Sequence, residues 1–315
     1  MASILDISNQ LISLSNKKIN DEIHLYHTLS ILIHKLFLEI RRLESVGVDQ
    51  KIIFQELQDI REIFGKSIFI SRLQNWPRGY QGDFETIEYL CNSVNQTPPN
   101  TVEYYLEDIA LSHPLVQQHR NKVHWQSQHL LNTISSIQDK NGILSIGSGG
   151  CRDLRLIKSA LNNKKIKLVI NDIDENAISF AKKRLDSTWK NLILIQGDSL
   201  RKTREMSKYA PFELIVAGGL FDYLPDKYAC LLLKRLSAML TENGKICFTN
   251  ILKPNPWKIW MDYLLNWNLL ERTEQDFRNM FNAHGINNLE IKMIKDKTSL
   301  TGLYEIKKVK KQPPN

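Results

Sequence analysis

The apolar positions of this chain fall into two regimes, helical in period up to about residue 137 and arranged in short runs beyond residue 142. In the first regime Leu25, Leu29, Leu32, Leu36, Ile40 and Leu43 form one stripe, widened by Ile33 and Phe37. That stripe predicts a helix capped by Asn20 or Asp21 and running to about Ser45, with Gly47 beyond its end. It reads as core packing against neighbouring helices, and a homodimer seam is its second reading. Further helices are predicted over 50–64, stopped by Gly65, over 67–75, stopped by Pro77, and over 85–93. Asn100 or Thr101 caps another, and Pro114 opens a long one through Arg120 and Trp125. Residues 1–20, rich in Asn, Ser and Lys, read as a loosely held terminus.

In the second regime β-rich runs at 143–146, 167–171, 192–196, 214–217, 245–250, 289–294 and 302–307 alternate with helices starting near Arg152, Asn176, Asp226 and Thr273. This predicts an α/β fold with an open, doubly wound, mostly parallel sheet. The last two runs are joined by only a short turn, which cannot be a parallel crossover, so the last strand should be antiparallel. The tail from Lys307 to Asn315 is expected to fray.

The chemistry gathers at the strand ends. The run from Ile143 to Ile146 is followed by Gly147, Ser148, Gly149 and Gly150, then by a helix start. Glycines let the backbone turn sharply and approach a ligand, and the N–H groups of the next helix then face it. The second run ends at Asp172 and Ile173, the third at Asp198 and Ser199, the fourth at Gly218, Gly219 and Leu220. A glycine turn after one strand and a carboxylate after the next is how a nucleoside cofactor is held, the acid accepting from ribose hydroxyls.

This ordered series resembles the class I S-adenosylmethionine-dependent methyltransferases. The resemblance implies a Rossmann-like sheet with an antiparallel last strand, preceded here by a helical N-terminal region, and S-adenosyl-L-methionine as cofactor. It makes Gly147, Ser148 and Gly149 the cofactor turn, Asp172 with Ile173 the ribose site, and Asp198 with Ser199 the adenine site. Gly218, Gly219 and Leu220 then line the pocket floor. One departure is that Ser145 stands where the family often has an acid, so the methionine amino group needs another partner, such as main-chain carbonyls at Gly218 and Gly219.

Four segments narrow the resemblance: Pro77-Arg-Gly-Tyr-Gln-Gly-Asp-Phe-Glu85, Ser145-Ile-Gly-Ser-Gly-Gly-Cys-Arg-Asp153, Gly219-Leu-Phe-Asp-Tyr-Leu224 and the stretch from Trp260 to Thr273. Together they look like the bacterial 3-hydroxypalmitic acid methyl ester biosynthesis methyltransferases, over roughly residues 75–308. That likeness implies O-methylation of a fatty-acid-like carboxylate or hydroxyl. Tyr80, Tyr223 and Arg272 are then the candidates that hold the acceptor, with Asp83 or Asp222 orienting them. Arg120 is the candidate for the cofactor carboxylate. The aromatic stretch from Trp257 to Trp267 could cover an alkyl chain or simply pack the segment onto the sheet. Residues 1–140 are expected to form a helical lid and substrate region, and 141–315 the cofactor-binding domain.

Composition trims the alternatives. The net charge is +8, but residues 1–139 hold 12 Lys/Arg against 16 Asp/Glu and the remainder 30 against 18, so the basic excess lies in the second regime. Such a surface favours acidic ligands and motivates a nucleic-acid methyltransferase as the rival reading. Against it, the fourth run ends in Ala-Gly-Gly-Leu rather than an amine-methylating Asn/Asp-Pro-Pro-aromatic box, and Asn255-Pro256 follows the fifth. A catalytically silent cofactor-binding protein is the third reading. Cys91, Cys151, Cys230 and Cys247 are scattered without metal-type spacing, which suits a reducing cytoplasm and buried small hydrophobes. No metal is expected. No apolar run is long enough to span a bilayer, and the N-terminus lacks the pattern of a signal peptide.

Overall fold

The computed structural model describes residues 2–136, 142–161, 166–185, 189, 191–284, 286 and 289–308. The chain divides into two compact units, Met1–Gln117 with Pro256–Asn268, and Gln118–Asn255 with Leu269–Asn315.

The first unit is helical: α1 (Ala2–Ser15), α2 (Glu22–Ser45), α3 (Gln50–Glu56), α4 (Gln58–Phe64), α5 (Ile68–Asn75), α6 (Phe84–Asn92) and α7 (Val102–Ser112). A further helix, α8 (Pro114–Ser136), begins in this unit and continues in the second. The division therefore falls inside a helix, whereas the change of hydrophobic period lies near residue 140. Side chains of Asp21, Ser67, Asp83 and Thr101 accept from backbone N–H groups of the first turns of α2, α5, α6 and α7. Each satisfies a donor that the helix start leaves without an internal partner.

Two expectations are corrected here. Residues 2–15 are a helix rather than a loose terminus, because Ile4, Ile7 and Leu11 form a short apolar stripe that is fully buried. The helix expected over 50–64 is two helices, divided at the buried Leu57. The apolar stripe of α2 is core, with all eight of its named residues buried. Trp260 packs against Phe37 and Phe64, with ring centroids 5.5 and 5.7 Å apart. Trp267 is also buried. The Trp257–Trp267 stretch, which includes a wide helical turn at Trp260–Leu264, therefore packs within the helical unit.

The second unit holds β1 (Gly142–Ile146), α9 (Arg152–Leu156), β2 (Lys167–Asp172), α10 (Glu175–Leu185), β3 (Leu192–Gln196), α11 (Thr203–Met206), β4 (Phe212–Ala217) and α12 (Asp226–Ala238). It ends with β5 (Leu240–Ile251), α13 (Glu274–Ala283), β6 (Leu289–Lys295) and β7 (Thr301–Lys308). The seven strands form one sheet in the order β3-β2-β1-β4-β5-β7-β6. The first five pair in parallel, and β7 runs antiparallel between β5 and β6. This is the Rossmann-like methyltransferase sheet that the sequence implied, including its antiparallel last strand. Both faces are covered. Leu144, Ile146, Val169, Ile215 and Phe248 pack on one face, and Ile143, Leu168, Ile170, Leu214 and Val216 on the other. Alternate residues point to opposite faces, so a strand buried on both reads as an unbroken apolar run. The end of the long helix beyond Ser136 and the tail beyond Lys308 lie outside the described residues. Among the described residues no helix is long and apolar enough to cross a membrane.

Candidate functional site

The order β3-β2-β1 on one side and β4-β5 on the other makes the gap between β1 and β4 the point where the winding of the sheet reverses. Loops leaving neighbouring parallel strands diverge there, and ligands of open α/β sheets bind at that place, outside the carboxyl ends of the strands. The glycine turn, Asp172 and the Gly218-Gly219 segment all leave that end of the sheet.

Gly147 and Gly149 have φ of +53° and +50°, a backbone state that glycine adopts without strain. Ser148 N–H donates to the Asn171 carbonyl at 3.2 Å. Gly149 N–H donates to Asp172 Oδ2 at 2.7 Å, and Asp174 N–H to Asp172 Oδ1 at 2.9 Å. The carboxylate thus ties the glycine turn of β1 to the end of β2. Each carboxylate oxygen has two lone-pair positions, so acceptor capacity remains for two hydroxyls. Burial raises the Asp172 carboxyl above its ordinary value, opposed by the backbone donors. Beside it Ile173 is 58% exposed, an apolar surface next to a polar grip.

Asn171, buried, fixes the third strand end: its amide donates to the carbonyls of Ile195 and Gly197, both at 2.9 Å, and its Oδ1 accepts from Ser199 Oγ at 2.7 Å. Ser199 is therefore buried as a brace. Asp198 is exposed, and its Oδ1 accepts from Arg201 N–H at 2.8 Å. After β4, Gly219 N–H donates to Thr249 Oγ1 at 3.1 Å. Leu220 closes on the glycine turn, its Cβ 3.3 Å from where a Gly147 Cβ would stand.

Two functional candidates were missed by sequence reasoning, Lys122 and Gln126 on α8. Lys122 is buried and paired with the buried Asp222, Nζ to Oδ2 at 3.1 Å. Asp222 Oδ1 also accepts from Ile251 N–H at 2.6 Å. Asp222 thus fastens the turn after β4 to α8 and β5. Gln126 is 5% exposed and its Nε2 has no hydrogen-bond partner. The only sequence signal was two polar residues four apart on a long helix, on which Gln118, His119 and Ser127 are buried as well. Arg120 lies on the same helix, half-buried beside His119.

Arg272 is a correction. It is 3% exposed, and its Nε and Nη2 donate to Asp226 Oδ1. Nη1 donates to Phe221 O and Asn250 Oδ1, and Nη2 also to Leu224 O. A guanidinium has five N–H groups, and these five bonds use them all, so none is left for a substrate carboxylate. Asp83 likewise caps α6 and accepts from Thr86 and Arg72 instead of orienting an acceptor. Tyr223 is 37% exposed in the turn after β4. Tyr80 is half-buried in the helical unit, between α5 and α6.

Elsewhere, His129 of α8 with Cys247 of β5 and Glu305 of β7 bring their ligand atoms within 4.8 Å of one another. Lys245 Nζ sits 2.9 Å from both His129 Nδ1 and Glu305 Oε2, so an ammonium already supplies positive charge there. Burial pushes the Cys247 thiol up to about 12.

Asp153, in the first turn of α9, offers a pH test. Burial lifts its carboxyl from 3.8 to about 6, despite the Leu154 N–H bond at 2.9 Å. A folded-state value above the unfolded one means that folding disfavours the charged form. The penalty is full above about pH 6 and is relieved as pH falls toward 3.8. Asp153→Asn should therefore stabilise by about 2–3 kcal/mol at pH 7.5, with the gain vanishing near pH 4. Urea melts of both proteins across that range check this; a difference that does not change with pH would contradict it.

No protein-family model matches the sequence, and no curated protein is significantly similar to it. Solved structures do match. A possible exported protein from Bordetella parapertussis aligns with a TM-score of 0.58 at 14% identity, over 98% of this chain and 95% of that one. Magnesium protoporphyrin IX methyltransferase from Synechocystis PCC 6803 with bound S-adenosylhomocysteine gives 0.44 at 11% identity, over 61% and 86%. A TehB-like SAM-dependent methyltransferase from Corynebacterium glutamicum gives 0.41 at 15%, over 63% and 98%. At such identities the first of these speaks for the fold alone, and it spans the helical part as well as the sheet. The chain combines a helical N-terminal region with a Rossmann-like sheet whose last strand is antiparallel.

Proposed function

We propose that this chain is an S-adenosylmethionine-dependent methyltransferase acting on a small molecule. The observation that carries the reading is the bond from Gly149 N–H to Asp172 Oδ2 at the ends of adjacent parallel strands. It presents a pre-positioned carboxylate beside a glycine turn. The residues fit the cofactor: Asp172 retains acceptor capacity for a ribose, Ile173 and Asp198 are exposed for an adenine, and Gln126 holds a buried donor without a partner. When bound, the cofactor supplies an electrophilic methyl group.

What the protein adds is alignment and exclusion of water, since an acceptor carboxylate is already ionised and needs no base. Tyr223, partly exposed beside the Gly218-Gly219 segment, is the acceptor-side residue of the sheet unit. Tyr80 belongs to the helical unit, which we propose as the substrate region of the protein. The fatty-acid-like acceptor rests on the sequence segments alone, because Arg272 and the tryptophans are committed to packing. The amine-methylating box is missing from the end of β4, which disfavours a nucleic-acid acceptor.

The test is incubation with methyl-labelled cofactor, a panel of 3-hydroxy fatty acids and total RNA. Label in base-labile methyl esters of the lipid fraction is the expected result. Label entering RNA alone would overturn the small-molecule reading, and cofactor binding with no turnover on any acceptor would favour a silent binding protein.

A further inference from the structure

We infer that the side-chain amide of Gln126 is a positioning donor for the carboxylate at the amino-acid end of the cofactor; this rests on the cofactor reading above. Gln126 Nε2 is enclosed and donates to nothing. A buried N–H without an acceptor is costly, and where it stands beside a candidate binding site a ligand acceptor can complete its bonding.

Its position is specific. A Cβ on Gly218 would stand 2.0 Å from Nε2 and 2.8 Å from Gln126 Cδ, so with glycine at 218 the amide sits directly against the backbone after β4, and any larger residue there would push it aside. Gly218 follows β4, and Asp172 ends β2, with β1 and its glycine turn between them. Strands lie about 4.8 Å apart, so the two points are separated by roughly 10 Å across the reversal of the sheet. In the bound orientation proposed here, a nucleoside held by its ribose at Asp172 extends its 5′ substituent past the glycine turn toward Gly218. That substituent carries a carboxylate and an ammonium. An orphan N–H takes an acceptor, which selects the carboxylate.

Lys122 lies one helical turn before Gln126 on the same face of α8, and its ion pair with Asp222 holds that face against the turn after β4. Arg120 is about 120° round the helix from Gln126, so the two do not share a face. Gln126, not Arg120, is thus the residue of α8 placed for this group.

The experiment compares two probes by calorimetry, S-adenosylhomocysteine, which has the amino-acid end, and 5′-methylthioadenosine, which lacks it. Gln126→Leu and Gln126→Glu are measured beside the wild type. Loss of one hydrogen bond to a charged group corresponds to roughly tenfold or more in affinity. The expected result is that both variants bind S-adenosylhomocysteine at least tenfold more weakly while methylthioadenosine affinity stays within twofold, which also shows that they fold. Equal loss for both probes, no loss for either, or tighter S-adenosylhomocysteine binding by Gln126→Glu would overturn the assignment. Wild-type protein that binds neither probe would overturn the cofactor reading itself.

Discussion

Replacing Arg272 by alanine should destabilise the protein by about 3–5 kcal/mol. The guanidinium is buried and makes five hydrogen bonds, to Asp226, Phe221, Leu224 and Asn250. Its own backbone N–H donates to Ile251 O at 3.1 Å, and residue 272 bridges to Leu252. Arg272 therefore clamps the turn after β4, the start of α12 and the end of β5. Truncation leaves two carbonyls and the Asn250 amide oxygen buried without donors, each a penalty of roughly 1–3 kcal/mol. Arg272→Lys should recover only part of the loss, since an ammonium has three N–H groups and no planar fork. Denaturant titration of the cofactor-free protein decides the matter. A variant as stable as wild type but unable to methylate would return Arg272 to the substrate and refute the clamp.

Asp172→Ala should weaken S-adenosylmethionine binding at least tenfold. Two hydrogen bonds from ribose hydroxyls to a charged acceptor are lost, at roughly 1.5–3 kcal/mol each. The same change frees Gly149 N–H and Asp174 N–H from their acceptor, so the glycine turn keeps only the Ser148 N–H bond to Asn171 O as its tie to β2. Asp172→Asn separates the two effects: it keeps one carbonyl oxygen but removes the charge. Its affinity should lie between those of wild type and the alanine variant. Because burial raises the Asp172 carboxyl, wild-type affinity should begin to fall on acidification at a higher pH than for an exposed aspartate. Calorimetry at pH 7.5 checks the first expectation and a pH series the second. Unchanged affinity in Asp172→Ala would remove the central residue of the proposed site.

The bonds of Asp172 and of Arg272 differ in how far they could be seen in advance. Asp172 accepts from a residue 23 positions away, but both ends stand at the close of recognisable strands. Parallel strands in a doubly wound sheet end at the same edge, so the pattern of apolar runs was enough to bring glycine turn and acid together. Strand number, the antiparallel hairpin of β6 and β7, and the caps at Asp21 and Thr101 were likewise written in local spacing. A cap or a strand period depends on residues within a few positions of each other, which is the range a sequence displays.

The first helix escaped that reading because its buried stripe is only Ile4, Ile7 and Leu11, while Leu5 and Ile12 on the same helix are exposed and blur the pattern. Its burial depends on other helices of the unit. The tryptophans of the 257–267 stretch gave aromatic surface in the sequence but not its destination, which is Phe37 and Phe64, some 200 residues earlier in the chain. Arg272 looked like a free fork until Phe221, Leu224, Asp226 and Asn250 were brought round it. Lys122 and Gln126 looked like ordinary polar positions of a long helix until one met Asp222 and the other Gly218. The sequence by itself determined the strands, their cofactor-type ends and the helical first part, because these follow from periodicity and backbone freedom. The tertiary structure alone decided which polar groups are spent on the fold and which are left with an open bond, because a hydrogen bond is satisfied by whatever lies within about 3 Å, and that is set by packing across the whole unit.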